Sequence, residues 1–167
     1  MHIRYEEQHD IPGIRQVNTL AFETATEADL VDVLRDRARP LISMVAIVNA
    51  AVAGHILFSP VTLSSDPAMP LMGLAPMAVL PSAQRQGIGS ALVRAGLEAC
   101  RRIGSVAVVV LGHAEYYPRF GFRPASSFGV NSEYHVPDDV FMVLELTPGI
   151  LQGKAGTIRY HPAFAEV

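Results

Sequence analysis

One cysteine, few charges and no long apolar run bound what this 167-residue chain can be. Cys100 alone cannot build an internal disulfide framework, and a lone thiol suits a reducing compartment. The six histidines are scattered rather than set at metal-ligand spacing, so no metal is expected. Charged residues make up only 17% of the chain, the net charge is -3 and the pI is near 6.0, with no basic tail. That balance excludes a general nucleic-acid binder, which rests on clustered Lys and Arg. Met1 to Glu7 lack an apolar signal core, and no apolar run is long enough to span a bilayer. A soluble, cytoplasmic protein without a membrane partner is expected. No repeat and no linker divides the chain, half of whose residues are hydrophobic, so one domain with a real core is expected over residues 1–167.

What is present alternates between strand and helix patterns. Ile3 to Glu6 suits a short strand. Asp10-Ile11-Pro12 looks like an N-cap with proline in the first turn, and Ile14, Val17, Leu20 and Ala21 continue that helix to about Phe22. Thr26 and Asp29 resemble a capping box before a second helix carrying Leu30, Val33 and Leu34, which ends before Pro40. Ser43 to Val48 and Val52 to Phe58 read as a hairpin turning at Asn49-Ala50-Ala51, with His55 a partly buried strand residue whose ring is satisfied. Pro60 to Pro70 reads as a loop or widened connection. Leu71 to Leu80 follows as a central strand that Pro76, lacking an N–H, must bulge or part from a neighbour. The next helix has Ile88, Leu92, Ala95, Ala99 and Ile103 as its buried stripe, Arg94, Glu98 and Arg102 as outer ion pairs, and Gly104 as its stop. Ser105 to Leu111 has the pattern of a strand covered on both faces, which completes a right-handed βαβ unit with parallel strands. Ala114 to Phe120 suits a short helix ended by Gly121, Arg123 to Pro137 is loop-rich, and Val140 to Leu146 and Thr157 to Tyr160 are strands.

The chemistry centres on Ala78 to Leu92, where an apolar strand breaks at Pro81 and a glycine turn opens a helix. Gly87 and Gly89 remove side chains where a ligand must approach the backbone. The free N–H groups of the helix's first turn point outward with the positive end of its dipole behind them, so a phosphate is the natural guest. A dinucleotide site would need a third glycine where Leu92 stands, and an acid at the end of the next strand, which instead runs into Leu111-Gly112-His113. A nucleoside-triphosphate loop would need Gly-Lys followed by Ser or Thr, and this turn has no lysine.

The order strand, Gln84-Arg85-Gln86-Gly87-Ile88-Gly89, helix, strand, then Tyr116-Tyr117-Pro118-Arg119-Phe120-Gly121-Phe122 resembles the GNAT superfamily of acetyl-CoA-dependent N-acetyltransferases. Its cofactor signature is Gln or Arg, any two residues, Gly, any one, then Gly or Ala, and Gln84, Gly87 and Gly89 match every fixed position. Tyr117, Gly121 and Phe122 match the downstream Tyr-x-x-x-Gly-Phe element, and the close resemblance runs from about Leu74 to Phe122. It implies an α+β (mixed α/β) fold in a single GNAT-like domain. The central sheet is mostly antiparallel, with its parallel fourth and fifth strands splayed, and is flanked by helices.

The resemblance also implies site residues. The backbone of Arg85, Gln86, Gly87, Ile88, Gly89 and Ser90, with Gln84, would hold the pyrophosphate of coenzyme A, and Met77, Ala78 and Val79 would pair with its pantetheine arm. Tyr117 matches the family's general acid toward the leaving sulfur, with Tyr116 its neighbour and competitor. Some members use an acid on the fourth strand as base, but Leu74 to Leu80 has none. His113, an imidazole at the end of a strand, is the candidate base, and Glu115 or a water chain is the alternative. Acceptor choice in the family comes from two segments, here Phe22 to Glu27 and Ala125 to Pro137, where Glu23, Glu27 and Glu133 would suit a cationic amine of a small molecule or peptide. A homodimer is compatible with this picture. A non-catalytic acyl-CoA-binding module of the same fold is the alternative reading.

Overall fold

The computed structural model describes residues 1–167. In chain order it contains β1 (His2–Tyr5), α1 (Ile11–Phe22), α2 (Thr26–Arg37), β2 (Ile42–Val48), β3 (Ala51–Leu63), β4 (Asp66–Val79), α3 (Ile88–Arg102), β5 (Ala107–Leu111), β6 (Arg123–Pro124), β7 (Val130–Ser132), β8 (Phe141–Glu145) and β9 (Gly156–Arg159). The sheet runs β1-β2-β3-β4-β5-β8-β6, with β9 bridging β3 and β7. Only β4–β5 and β7–β9 are parallel. The expected mixed, mostly antiparallel sheet is therefore present. Helix α3 covers one face through Ile88, Leu92, Val93 and Leu97, while α1 and α2 cover the other through Ile14, Leu30 and Leu34 against Val45 and Leu57.

Several local expectations are corrected. Pro60 to Pro70 is not a loop: β3 and β4 continue as one long hairpin, with Pro60 opposite Met72 and Val61 opposite Leu71. On its other side β3 leaves β2 after Phe58 and meets β9 only at Thr62, so Pro60 stands where that side has no ladder to donate to. Asp10 makes no side-chain cap on α1. It is 3% exposed and instead receives the Arg4 guanidinium at 2.6 and 3.1 Å and the Glu7 N–H at 2.7 Å. Thr26 begins α2 rather than capping it, and its N–H reaches the Thr24 hydroxyl at 3.4 Å. Ile103 lies past the end of α3 and is exposed, and Glu98 pairs with Arg101 and Arg102 but not with Arg94, whose guanidinium lies over the Phe120 ring. The helix placed at Ala114 to Phe120 shortens to a single 3-10 turn, Tyr117–Phe120.

Pro76 does what its chemistry requires. The register of β4 on β3 shifts between the Leu74 and Met77 pairings, and the parallel pairing with β5 stops at Leu74 opposite Val110. Beyond that point the β5-facing edge of β4 is unpaired, and the two strands leave a groove between them.

His55 is wholly buried rather than partly so. The Asn18 side-chain amide donates to its Nδ1 at 3.1 Å, so Nε2 carries the hydrogen and donates to the Ser43 hydroxyl at 2.9 Å. Ser43 donates onward to Glu6, which Arg35 grips at 2.6 and 3.1 Å. Burial pushes the His55 pKa down to about 3, and the attraction of Glu6 offsets only part of that. The unfolded imidazole binds its proton near 6.5. Stability from neutral His55 is thus complete above that value and is lost progressively as pH falls toward 3. We expect unfolding free energy to drop by about 2 kcal/mol between about pH 7 and about pH 5. Urea midpoints at the two pH values check this, and a His55→Gln variant should lose less than the wild type. Equal pH slopes for the two proteins would refute the assignment.

Candidate active site

The turn after β4 passes through a 3-10 segment, Pro81–Ala83, and then takes two left-handed residues, Arg85 (φ 61°) and Gly87 (φ 85°), before α3 begins. Gln84 folds back on the strand, its side-chain amide donating to the Val79 carbonyl at 3.1 Å. The first amide of α3 with a backbone acceptor is that of Ala91, bonded to the Gly87 carbonyl at 3.1 Å, so the N–H groups before it are free to receive an anion. They line an outer cavity with Val79, Ala83, Tyr116 and Arg119, whose walls carry no carboxylate. Gln86 lies off this wall.

An inner cavity adjoins it at Tyr116. Leu74, Ala75, Pro76 and Met77 of β4 form one side, Leu111, Gly112 and His113 at the end of β5 form the other, and Phe22, Glu27 and Leu30 of the helical layer close it. Both Tyr116 and Tyr117 line it, and Tyr116 is shared with the outer cavity. The passage is narrow: a Cβ on Gly89 would lie 3.3 Å from the Tyr116 hydroxyl and 3.5 Å from the Met77 methyl. Met77 and Val79 line the groove, while the Ala78 side chain between them is buried in the sheet opposite His55.

Tyr116 and Tyr117 differ in setting. Tyr116 shares a hydrogen bond with the Ser90 hydroxyl at 2.9 Å and carries the Arg119 guanidinium 4.5 Å from its ring centre. Tyr117 is 7% exposed and meets Tyr116 and Phe122 edge-on at 5.1 and 5.7 Å. Burial, then the neighbouring Tyr116, pushes its pKa up to about 12, so it is a neutral phenol at any working pH. Its ring lies so close to the Gly112 backbone that a Cβ there would come within 2.3 Å of it. Gly112 gave no signal in the sequence beyond the missing ribose acid, and Arg119 occupies a variable position of the Tyr-x-x-x-Gly-Phe element.

The other sequence candidates separate. His113 is exposed and lines the inner cavity, whereas Glu115 lines only a neighbouring recess. Of the three acidic candidates for the acceptor, Glu27 alone lines the inner cavity. Glu23 is the left-handed C-cap of α1, and the Glu133 carboxylate accepts the Tyr160 N–H at 2.6 Å. Ala125 to Pro137 encloses a separate cavity that shares no lining residue with the inner one.

An open sheet parted between two parallel strands, with an amide-lined glycine turn at one end and paired tyrosines at the other, defines an acyltransferase fold. Residues 41–124 match the acetyltransferase (GNAT) domain family, and the chain belongs to it. It is 44% identical over 137 residues to YjhQ of Escherichia coli strain K12, an N-acetyltransferase that is itself uncharacterised, covering 80% of this chain and 76% of that one. The crystal structure of the GNAT family N-acetyltransferase YhbS from Escherichia coli in complex with CoA matches with a TM-score of 0.91 at 33% identity, over 98% of this chain and 91% of that chain. A GNAT family acetyltransferase from Brucella melitensis in complex with acetyl-CoA matches at 0.80 and 37% identity, over 98% and 97%.

Proposed function

We propose that this protein, acting as one domain over residues 1–167 in the cytoplasm, transfers the acetyl group of acetyl-CoA to a primary amine of a small molecule or peptide. The observation that carries the reading is the pair of cavities that meet at Tyr116, one lined by the free amides of the glycine turn and the other by Tyr117. The crystal structures of the YhbS and Brucella melitensis relatives with CoA and acetyl-CoA support it.

The backbone of Arg85, Gly87, Ile88, Gly89 and Ser90 receives the pyrophosphate, with Gln84 bracing the turn and Gln86 off the wall, and the open edge of Met77, Ala78 and Val79 receives the pantetheine amides. The thioester supplies an acetyl carbonyl: its C–S bond breaks as the amine's N–C bond forms. The amine must arrive or become neutral, and His113 on the cavity wall is the group that takes its proton. Tyr117 donates a hydrogen bond to the departing sulfur. With its pKa near 12, full transfer to a thiolate of ordinary basicity, about 8.5, is uphill by roughly 5 kcal/mol, so Tyr117 acts by donating as charge develops on sulfur rather than by protonating it beforehand.

The acceptor end is apolar except for Glu27 and His113, with Phe22, Leu30, Leu74 and Leu111 around them. That setting favours an amine on an apolar body, its cationic form first held by Glu27. Thiol release from acetyl-CoA across an amine panel tests the proposal. Apolar monoamines should be used better than polyhydroxylated amines, and Glu27→Gln should raise KM about tenfold with kcat within about twofold. Tight CoA binding with no turnover on any amine would favour the non-catalytic module instead.

A further inference from the structure

Resting on the coenzyme A reading above, we infer that Arg119 is the residue by which the protein recognises the 3′-phosphate of coenzyme A, and so distinguishes it from dephospho-coenzyme A. Arg119 lines the outer cavity only, whereas Tyr116 lines both. Along the groove it therefore stands on the side away from the thioester, where the ribose end of the carrier must emerge. It shares the cavity with the glycine turn, and the turn already offers the pyrophosphate a row of backbone amides. The Arg119 cation is then left for a different anion.

The side chain is set in advance for that task. Its Nε donates to the Tyr116 carbonyl at 2.8 Å, and its guanidinium carbon lies over the Tyr116 ring, 4.5 Å from the centre, a ring itself tied to Ser90. The two terminal nitrogens remain without a protein acceptor, in a cavity that holds no carboxylate. A guanidinium fixed at Nε and stacked on one face presents its outer fork at little further entropic cost, and that fork fits two oxygens of a phosphate monoester. Such a monoester carries close to two negative charges near neutral pH, against about one on each pyrophosphate phosphorus, which makes it the better partner for an unpaired arginine.

Isothermal titration of the wild type, Arg119→Gln and Arg119→Lys with coenzyme A and with dephospho-coenzyme A tests this. The wild type should bind coenzyme A about tenfold more tightly than the dephospho form. Arg119→Gln should weaken coenzyme A about tenfold and the dephospho form by less than about twofold, with Arg119→Lys between. Equal weakening of both ligands would assign the guanidinium to the pyrophosphate and overturn the inference, as would a wild type that binds both equally. Failure of the wild type to bind either ligand would instead overturn the cofactor reading itself.

Discussion

Replacing Tyr117 with phenylalanine is expected to lower kcat by about 10²–10³-fold while leaving acetyl-CoA affinity within about twofold. The ring of Tyr117 is packed between Gly112, Tyr116 and Phe122, and a phenyl group fills the same space, so the variant loses only the hydroxyl. Tyr117 lines the inner cavity, and burial keeps its hydroxyl protonated across the whole working range. In the proposed reaction it is a permanent donor to charge that exists only as the thioester breaks, and losing such an interaction lowers kcat without touching ground-state binding. Tyr116→Phe supplies the contrast: it breaks the bond to Ser90 and should alter cofactor affinity more than kcat. Steady-state thiol release with calorimetric binding measures both quantities. Full activity in Tyr117→Phe together with a collapse in Tyr116→Phe would move the donor role to Tyr116.

Gly87→Val should weaken coenzyme A binding by about 100-fold or more and, separately, strain the turn. Gly87 has φ 85°, a left-handed conformation that a β-branched residue adopts only at a cost of roughly 1–2 kcal/mol or more. Its Cβ would also meet no protein atom within 4 Å, so the added side chain projects into the open space that a phosphate on these amides would occupy. The strain should lower the melting temperature modestly; the steric block should appear in calorimetry as lost affinity. A variant that melts earlier yet binds coenzyme A normally would show that the turn is structural and that the pyrophosphate lies elsewhere.

Most of the element pattern was readable from the chain, because helix stripes and β-branched runs are set by local geometry. Residues such as Leu92, Ala99 and Val108 are buried as their periodicity requires. Local rules failed where their outcome depended on a distant neighbour. Pro60 reads as a loop residue until β2 and β9 leave a gap beside it. Gly96 passes as an ordinary helix residue, yet a Cβ there would come within 2.2 Å of the Phe58 ring across the sheet. Acidic residues near the acceptor end looked equivalent in the sequence, and separated only when Glu133 proved tied to the Tyr160 backbone.

By itself the sequence determined the glycine turn at the head of a helix, the strand broken at Pro76, the tyrosine pair before Gly121 and, through their spacing, the family. Those features are local: steric freedom at glycine, the missing N–H of proline and the dipole of a helix's first turn act within a few residues. Only the tertiary structure decided that Gly112 gives Tyr117 its seat, that Arg119 shares a cavity with Gly87, that His55 is sealed under Asn18 and Ser43, and that Glu27, unlike Glu23 and Glu133, lines the inner cavity. All but the Gly112 seat join segments far apart in the chain. Such contacts follow from how two helices and a parted sheet close over one another, which no short-range pattern encodes.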